Sequence, residues 1–430
     1  MLSIVVLNHS STLSLFLFLS LSLSTTPPRI CLISIAAVGG NALLKRGEQL
    51  TMENQRRNIR DGVASLKAII ERFRGVTVGT RDIHMQGIRV ATSSNSTMWH
   101  LYVRIETVHG NGPQSGLLVL ESAAYEKSTG LEQMSLDVID AETEGMIGYG
   151  LEQAMAPHVP FGRGMATMLS QILVDEKDPA FQNPTKVRLL ANRRYMCIFH
   201  VWLTLIFSPN ITHPFTSYQF IGPVMSKDEA IRTGLPYKAD GEYFRRVVPS
   251  PLPLKMLPCE MDALRLLTDA GCIVICAGGG GIPVVRDVET GEYCGVEAVI
   301  DKDRAATMVG VDLNADGIII LTDVTAVALQ YNTPQQQWIR SVSPGKLASL
   351  MDQFPDGSMG PKCASAIDFV ERAGGWAAIG SLQEAAGILR GQNGTRIEHS
   401  PDGRDFIEFY DNSASLHSQD SHEKHETSRI

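Results

Sequence analysis

Two lysines and three glycine turns are the parts of this sequence whose types and spacing point to chemistry. Lys302 and Asp303 stand together in VIDKDRAAT at the start of one helical stretch, and Lys362 stands in GSMGPK at the start of another. A lysine at a helix N-terminus opposes the helix dipole, so two such placements call for a compensating anion. A phosphoryl group in transfer is such an anion: its charge spreads over the equatorial oxygens, and catalysis consists mainly of positioning and neutralisation. Asp303, beside Lys302, would keep the two lysines apart and oriented.

The turns are Gly39-Gly40-Asn41, Gly110-Asn111-Gly112 and Gly278 to Gly281, each after an apolar, strand-like run. In a parallel sheet such turns gather at the carboxyl ends of the strands, where exposed backbone N–H groups and helix N-termini hold anions. The run GNGPQSG also has the outline of a dinucleotide fingerprint, but Pro113 and Gln114 crowd the helix start and no ribose-binding acid closes a βαβ unit. Neither a P-loop nor the HRD and DFG motifs of protein kinases occur, so the phosphate chemistry is of another kind. Seven cysteines without a CxxC pair offer no metal site.

These residues need a frame to position them. With 430 residues, 44% apolar and 20% charged, the chain can bury a large core. A net charge of -8 excludes the basic stripe that nucleic acid or an anionic membrane requires. A helix is predicted from Glu53 to Arg72, another opening at Pro113, and a third carrying Met146, Ile147 and Leu151. From Glu260 onward, helices alternate with the apolar runs CIVICA, GIIILTDV and WAAIG, which predicts a mostly parallel sheet covered on both faces. Helices are expected over Arg304–Leu313 and Pro361–Ala373, with DVETGEYCGVEAVIDKD as a hinge-like link. Residues 75–102 lack either period and read as a loop or insertion, residues 1–31 as a leader, and residues 398–430 as a disordered tail.

Taken in order, AVGGNALLKRGEQL, VHGNGPQSG, LDVIDAETEGMIGYG, DPAFQNPTK, FIGPV, CAGGGGIPVV, GVEAVIDKDRAA, LTDV and GSMGPKCASAIDFV resemble the carbamate kinases, members of the amino acid kinase superfamily. The match runs from about Ile33 to Ile397, and the combination of GGNA, HGNGPQ and VIDKD separates it from the acetylglutamate, aspartate and uridylate kinases. The resemblance implies an α/β fold, a three-layer αβα sandwich around an eight-stranded, mainly parallel sheet, with a small protruding subdomain. It implies a domain over residues 32–397, with a carbamate-side lobe over 32–248 and a nucleotide-side lobe over 249–397. The implied reaction is ATP plus carbamate giving ADP plus carbamoyl phosphate, run mainly toward ATP in arginine breakdown. A cytoplasmic homodimer follows, or an organellar one if the leader is a targeting segment, with small-molecule substrates and neither nucleic-acid nor membrane partners.

By the same resemblance, Gly39, Gly40, Asn41, Gly110, Asn111 and Gly112 cradle carbamate and the transferred phosphoryl group. Lys186, Lys302 and Lys362 supply positive charge, with Asp303 organising them. Gly278, Gly279, Lys302, Asp323, Met359 and Lys362 meet the nucleotide, ATP or ADP, whose phosphates carry Mg2+. Two other readings stay open: a catalytically impaired nucleotide-binding homologue or mis-spliced product, and another small-acid kinase of the superfamily.

The sequence departs from that family in three places. In the family NPTK runs at once into an IGP turn, so Lys186 belongs with Phe220 and residues 187–219 have no counterpart. The codon of Val187 begins with GT and Gln219 is compatible with CAG, the letters of intron ends, which reads as a retained intron, with residues 75–102 as a second candidate; genuine lineage-specific loops are the rival reading. Glu144 stands in TEGMIGY where the family carries Gln, and is open to a surface position or a place near the anionic pocket.

Overall fold

Alternate residues of the run GIIILT serve two different cores. The run forms a strand, Gly317–Thr322, in which Ile318 and Ile320 enter one buried cluster while Ile319 and Leu321 enter another. Successive side chains of a strand point to opposite faces, so a strand apolar at every position must be covered twice. The structure, a computed structural model, describes residues 30–38, 48, 51–72, 76–78, 99–181, 218–234, 236–240, 243–355 and 358–411.

The central sheet contains β1 (Ile30–Val38), β2 (Trp99–His109), β3 (Met165–Thr167), β4 (Ile273–Ile275), β5 (Gly317–Thr322), β6 (Ala328–Leu329), β7 (Gln337–Val342), β8 (Trp376–Ser381) and β9 (Thr395–Ile397). Their order is β6-β7-β9-β8-β5-β1-β2-β4-β3. β5 runs parallel to both β1 and β8, and β4 runs parallel to both β2 and β3. β8 and β9 pair antiparallel, as do β6 and β7. The sheet is thus mainly parallel, as the alternating helices and strands predict, but has more than the eight strands expected. β1 and β2, which precede residue 248, lie between β5 and β4, which follow it.

One face of the sheet is covered by α1 (Met52–Arg72) and α3 (Leu136–Met155). Ile59, Val63, Leu66 and Ile70 of α1 recur at helical spacing and are buried. The other face is covered by α4 (Pro258–Asp269), α5 (Lys302–Asp312) and α6 (Met359–Ala373). Burying each such aliphatic or aromatic side chain contributes about 1.5–3 kcal/mol. A further helix, α2 (Gly112–Thr129), follows β2 directly.

Two smaller sheets complete this part. Gln171–Val174, Pro253–Met256, Ile282–Arg286 and Tyr293–Gly295 form one. In it the expected hinge is a β-hairpin: Val285 pairs with Cys294, and the Asp287 side chain accepts the amides of Glu289 and Thr290 in the turn. Tyr218–Met225, Tyr237–Asp240 and Tyr243–Pro249 form the other, joined by a short helix, Lys227–Thr233, with a Ser226–Glu229 capping box. The expected IGP turn is part of the strand Tyr218–Met225, with a shift of register between Ile221 and Met225 across Gly222 and Pro223. Proline has no N–H to give to a ladder, so it is found at such irregularities.

The tail reading is corrected for residues 398–411. Ile407–Phe409 is a strand antiparallel to β7, the Ser343 hydroxyl donates to Asp405 at 2.7 Å, and the Tyr410 hydroxyl donates to the Gly394 carbonyl at 2.7 Å. A strand of three residues is too short to show a period. Cys31–Arg74 and Tyr102–Ile430 form one compact unit. Met1–Ile30 with Gly75–Leu101 form another, whose described part includes the antiparallel pairing of Val76, Thr77 and Val78 with Leu101, His100 and Trp99. The reading of residues 75–102 as loop therefore misses a strand pairing. Among the described residues no helix is long and apolar enough to cross a membrane.

Candidate active site

Asp303 draws the two lysines together. Lys362 Nζ donates to Asp303 Oδ2 at 2.8 Å, and Lys302 Nζ lies 3.5 Å from the same oxygen. The expectation that Asp303 keeps the lysines apart is thus corrected: it gathers them on one oxygen. Burial alone would push the Asp303 carboxyl up, but the charges of Lys302 and Lys362 outweigh it and hold the group at about 2. Burial likewise works against the Lys362 ammonium, and Asp303 overcomes it, so the lysine is raised above its ordinary value and stays charged.

Local sequence explains the placement. Asp301 caps α5 through the amides of Asp303 and Arg304, which starts the helix at Lys302, two residues before its expected start. α6 starts at Met359, so Met359 to Lys362 is a first helical turn and not a loop. Small buried residues, Ala305 and Ala306 on α5 and Cys363 and Ala366 on α6, let the helices approach, and Thr307 of α5 donates to the Ser365 carbonyl of α6 at 3.1 Å. Met359 is half-buried against the core and Gly360 is buried.

The Gly110 turn lies where β2 enters α2. Gly110 and Asn111 are buried and Gly112 is exposed. Asn111 occupies the cap position of α2 without capping it, and its side-chain Nδ2 donates to Thr143 Oγ1 at 2.9 Å and to Asp140 Oδ1 at 3.4 Å. Nor does Ser358 cap α6 through its side chain. A helix start without a side-chain cap has N–H groups and a positive dipole end to offer an anion, although in α6 the Gly360 N–H is already given to the Pro355 carbonyl at 3.0 Å. Burial pushes the Asp140 carboxyl well above its ordinary value, with Glu144 adding to the rise, and pulls His109 down to about 4.

The Gly278 loop connects these parts. It follows β4, which is parallel to β2, so the loop and the Gly110 turn share an edge of the sheet. A Cβ on Gly279 would lie 2.1 Å from Asn111 Nδ2, and one on Gly280 would lie 2.1 Å from the Ile300 carbonyl, two residues before Lys302. Both residues have positive φ, 72° and 111°, which glycine tolerates best. The loop is nevertheless no open row of donors. Ala277 N–H donates to Ser170 Oγ, Gly278 N–H to Glu144, Gly280 N–H to the Ala277 carbonyl and Gly281 N–H to the Gly278 carbonyl. That corrects the expectation of a broad anion cradle at Gly278 to Gly281.

Asp323 is exposed just beyond β5, where Thr322 donates to it at 3.0 Å. Leu321 pairs with Val38, so Asp323 lies at the end of the sheet where β1 ends. Gly39, Gly40, Asn41 and Lys186 lie outside the described residues. Sequence reading missed Asp140, Thr143, Ser170 and Asp301. Asp301 carries a legible signal, an aspartate directly before a helix, whereas a polar residue on a buried helix face shows no partner in sequence. Glu144 is buried, which corrects the surface alternative; burial pushes its carboxyl up to about 8.

Comparison with known proteins adds to this geometry. Residues 236–380 match the Amino acid kinase family. The chain is 39% identical to the carbamate kinase of Haemophilus influenzae over 380 residues, covering 87% of this chain and 99% of that one. It is 34% identical to the carbamate kinase of Pyrococcus furiosus, covering 84% and 98%. Among solved structures, the carbamate kinase from Giardia lamblia bound to AMP-PNP matches with a TM-score of 0.63 at 30% identity, covering 86% of this chain and 99% of that chain.

Proposed function

Because the chain belongs to the carbamate kinases of the amino acid kinase family, we propose that it transfers a phosphoryl group between carbamoyl phosphate and ADP through the lysines gathered on Asp303. In the direction that makes ATP, a β-phosphate oxygen of ADP attacks phosphorus, the bond from phosphorus to the carbamate oxygen breaks, and carbamate leaves with that electron pair. The Lys302 and Lys362 ammonium groups offset the charge on the transferred phosphoryl oxygens. Asp303 holds both in place and stays ionised, so neither proton is needed for transfer.

Asn111 and the open start of α2 take the carbamoyl end. Gly279, Asp323 and the first turn of α6 at Met359 take the nucleotide end. Gly39, Gly40, Asn41 and Lys186 complete the cradle in this reading. Among the described residues no group of three or more His, Cys, Asp and Glu side chains is placed to hold a metal ion. In this reading magnesium arrives with the nucleotide phosphates, as part of the substrate. We further assign the enzyme to arginine breakdown, as a cytoplasmic homodimer.

The observation that carries the reading is the sharing of Asp303 Oδ2 by Lys302 and Lys362. A coupled assay of ATP formed from carbamoyl phosphate and ADP tests it. Lys302→Ala is expected to lose turnover while keeping part of its ADP affinity; unchanged turnover removes Lys302 from the transfer. Binding of ADP without ATP formation favours an impaired homologue, and activity only with acetylglutamate or UMP favours another kinase of the superfamily.

A further inference from the structure

One turn of α3 reaches both sides of the site. Thr143 and Asp140 accept the Asn111 amide, and Glu144, next to Thr143, reaches the glycine loop. The two Glu144 oxygens have separate tasks: Oε1 accepts the Gly278 N–H at 2.9 Å and Oε2 accepts the Ser170 N–H at 3.1 Å. Ser170 in turn holds the loop at two more points, accepting the Ala277 N–H on its hydroxyl and the Ile282 N–H on its carbonyl, each at 2.8 Å. The loop is thus tied from Ala277 to Ile282 through Glu144 and Ser170, and Gly279 is left against Asn111.

We propose that Glu144 is a positioning residue for phosphoryl transfer, which fixes the glycine loop to the same helical turn that orients Asn111 and so sets the spacing of Gly279 and Asn111. The proposal rests on the reading of the reaction given above. Glu144 touches no substrate in it; it acts through Gly278 and Ser170. A displacement of about 1 Å in such a site costs about a hundredfold in rate. Glutamine in this place has a single oxygen, so it keeps the Gly278 amide and releases Ser170, whereas alanine releases both.

The test compares Glu144→Gln and Glu144→Ala with Ile388→Ala, a core truncation outside the site that serves as a matched loss of stability. Glu144→Ala is expected to lower kcat about a hundredfold with the KM for ADP changed less than threefold, and Glu144→Gln to recover most of the loss. Amide hydrogen exchange is expected to quicken at Ser170 and from Ala277 to Ile282 in Glu144→Ala, with β5 unchanged. Unchanged exchange in that loop overturns the proposal, as does a kcat loss no greater than that of Ile388→Ala. If the unsubstituted protein makes no ATP, the reaction reading fails on its own and the exchange result still decides the tether.

Discussion

Lys302 and Lys362 share a single oxygen of Asp303, although 59 residues separate Lys362 from that aspartate. Both lysines meet on one buried carboxylate, and the Asp301 charge acts on Lys362 as well. In the proposed reaction this cluster receives the transferred phosphoryl group, and four outcomes follow from this and the neighbouring contacts.

Asp303→Asn keeps the shape of the carboxylate and removes its charge, leaving two partly buried ammonium groups close together. Removing one partner of a buried ion pair costs about 3–5 kcal/mol, because the charge that remains is uncompensated. Urea unfolding is expected to show a loss of that size, with kcat reduced at least about a hundredfold. Asp303 also gives the unsubstituted protein an acid limit. Its folded value of about 2 lies below the ordinary 3.8, so its contribution is present above pH 3.8 and is lost as pH falls toward 2.

Glu144, together with Asp140, whose carboxyl burial raises in the same direction, and His109 set the pH dependence of stability on the other side. Folded Glu144 keeps its proton up to about pH 8, whereas the unfolded group releases it near 4.5, so stability falls as pH rises through that window. His109 does the opposite between 6.5 and about 4: the unfolded imidazole takes a proton that the buried one refuses, so stability falls as pH drops. From Glu144 and His109 the slopes oppose one another between 4.5 and 6.5, and of these two only the decline from Glu144 remains from 6.5 to 8. Denaturant midpoints measured across pH 6–9 are expected to show that decline, on the order of 2 kcal/mol, and a shallower one in Glu144→Gln.

Gly279→Ala puts a methyl group where Asn111 Nδ2 now stands, in a backbone region that L-residues disfavour. Loss of about 1–3 kcal/mol of stability is expected from the backbone alone, with a larger fall in kcat as Asn111 is displaced. Gly62→Ala, on α1 outside the site, is the companion substitution, because its Cβ would make only an ordinary contact, 3.5 Å from Leu382 Cδ2. If Gly279→Ala leaves kcat as high as Gly62→Ala does, Gly279 is not a wall of the site.

Residues 187–219 are expected to be dispensable. Joining Lys186 to Phe220 removes the pairing of Tyr218 and Gln219 with Pro249 and Val248, but keeps Phe220 against Val247. The shortened protein is expected to melt no lower than the full chain and to turn over faster, read by thermal unfolding and the coupled assay. Transcript reads that lack the segment would agree; reads that cross it intact, together with a shortened protein that does not fold, would sink the retained-intron reading.

The apolar runs CIVICA, GIIILTDV and WAAIG dictated buried strands, because a period of two cannot be satisfied by one covered face when every position is apolar. The spacing of Ile59, Val63, Leu66 and Ile70 dictated the helix that covers one side. The glycines at 278 to 281 and the paired Lys302 and Asp303 were legible as a turn and a charged helix start. Tertiary structure decided what these signals served. It turned the glycine loop inward, toward Glu144 and Ser170, since backbone donors in a buried turn must find acceptors wherever the neighbouring elements provide them. It also decided that Lys362 and Lys302 share one oxygen, which depends on how closely α5 and α6 pack and in what register. The distance between two side chains on different helices is set by the shapes packed between them, and a linear order of residues does not contain it.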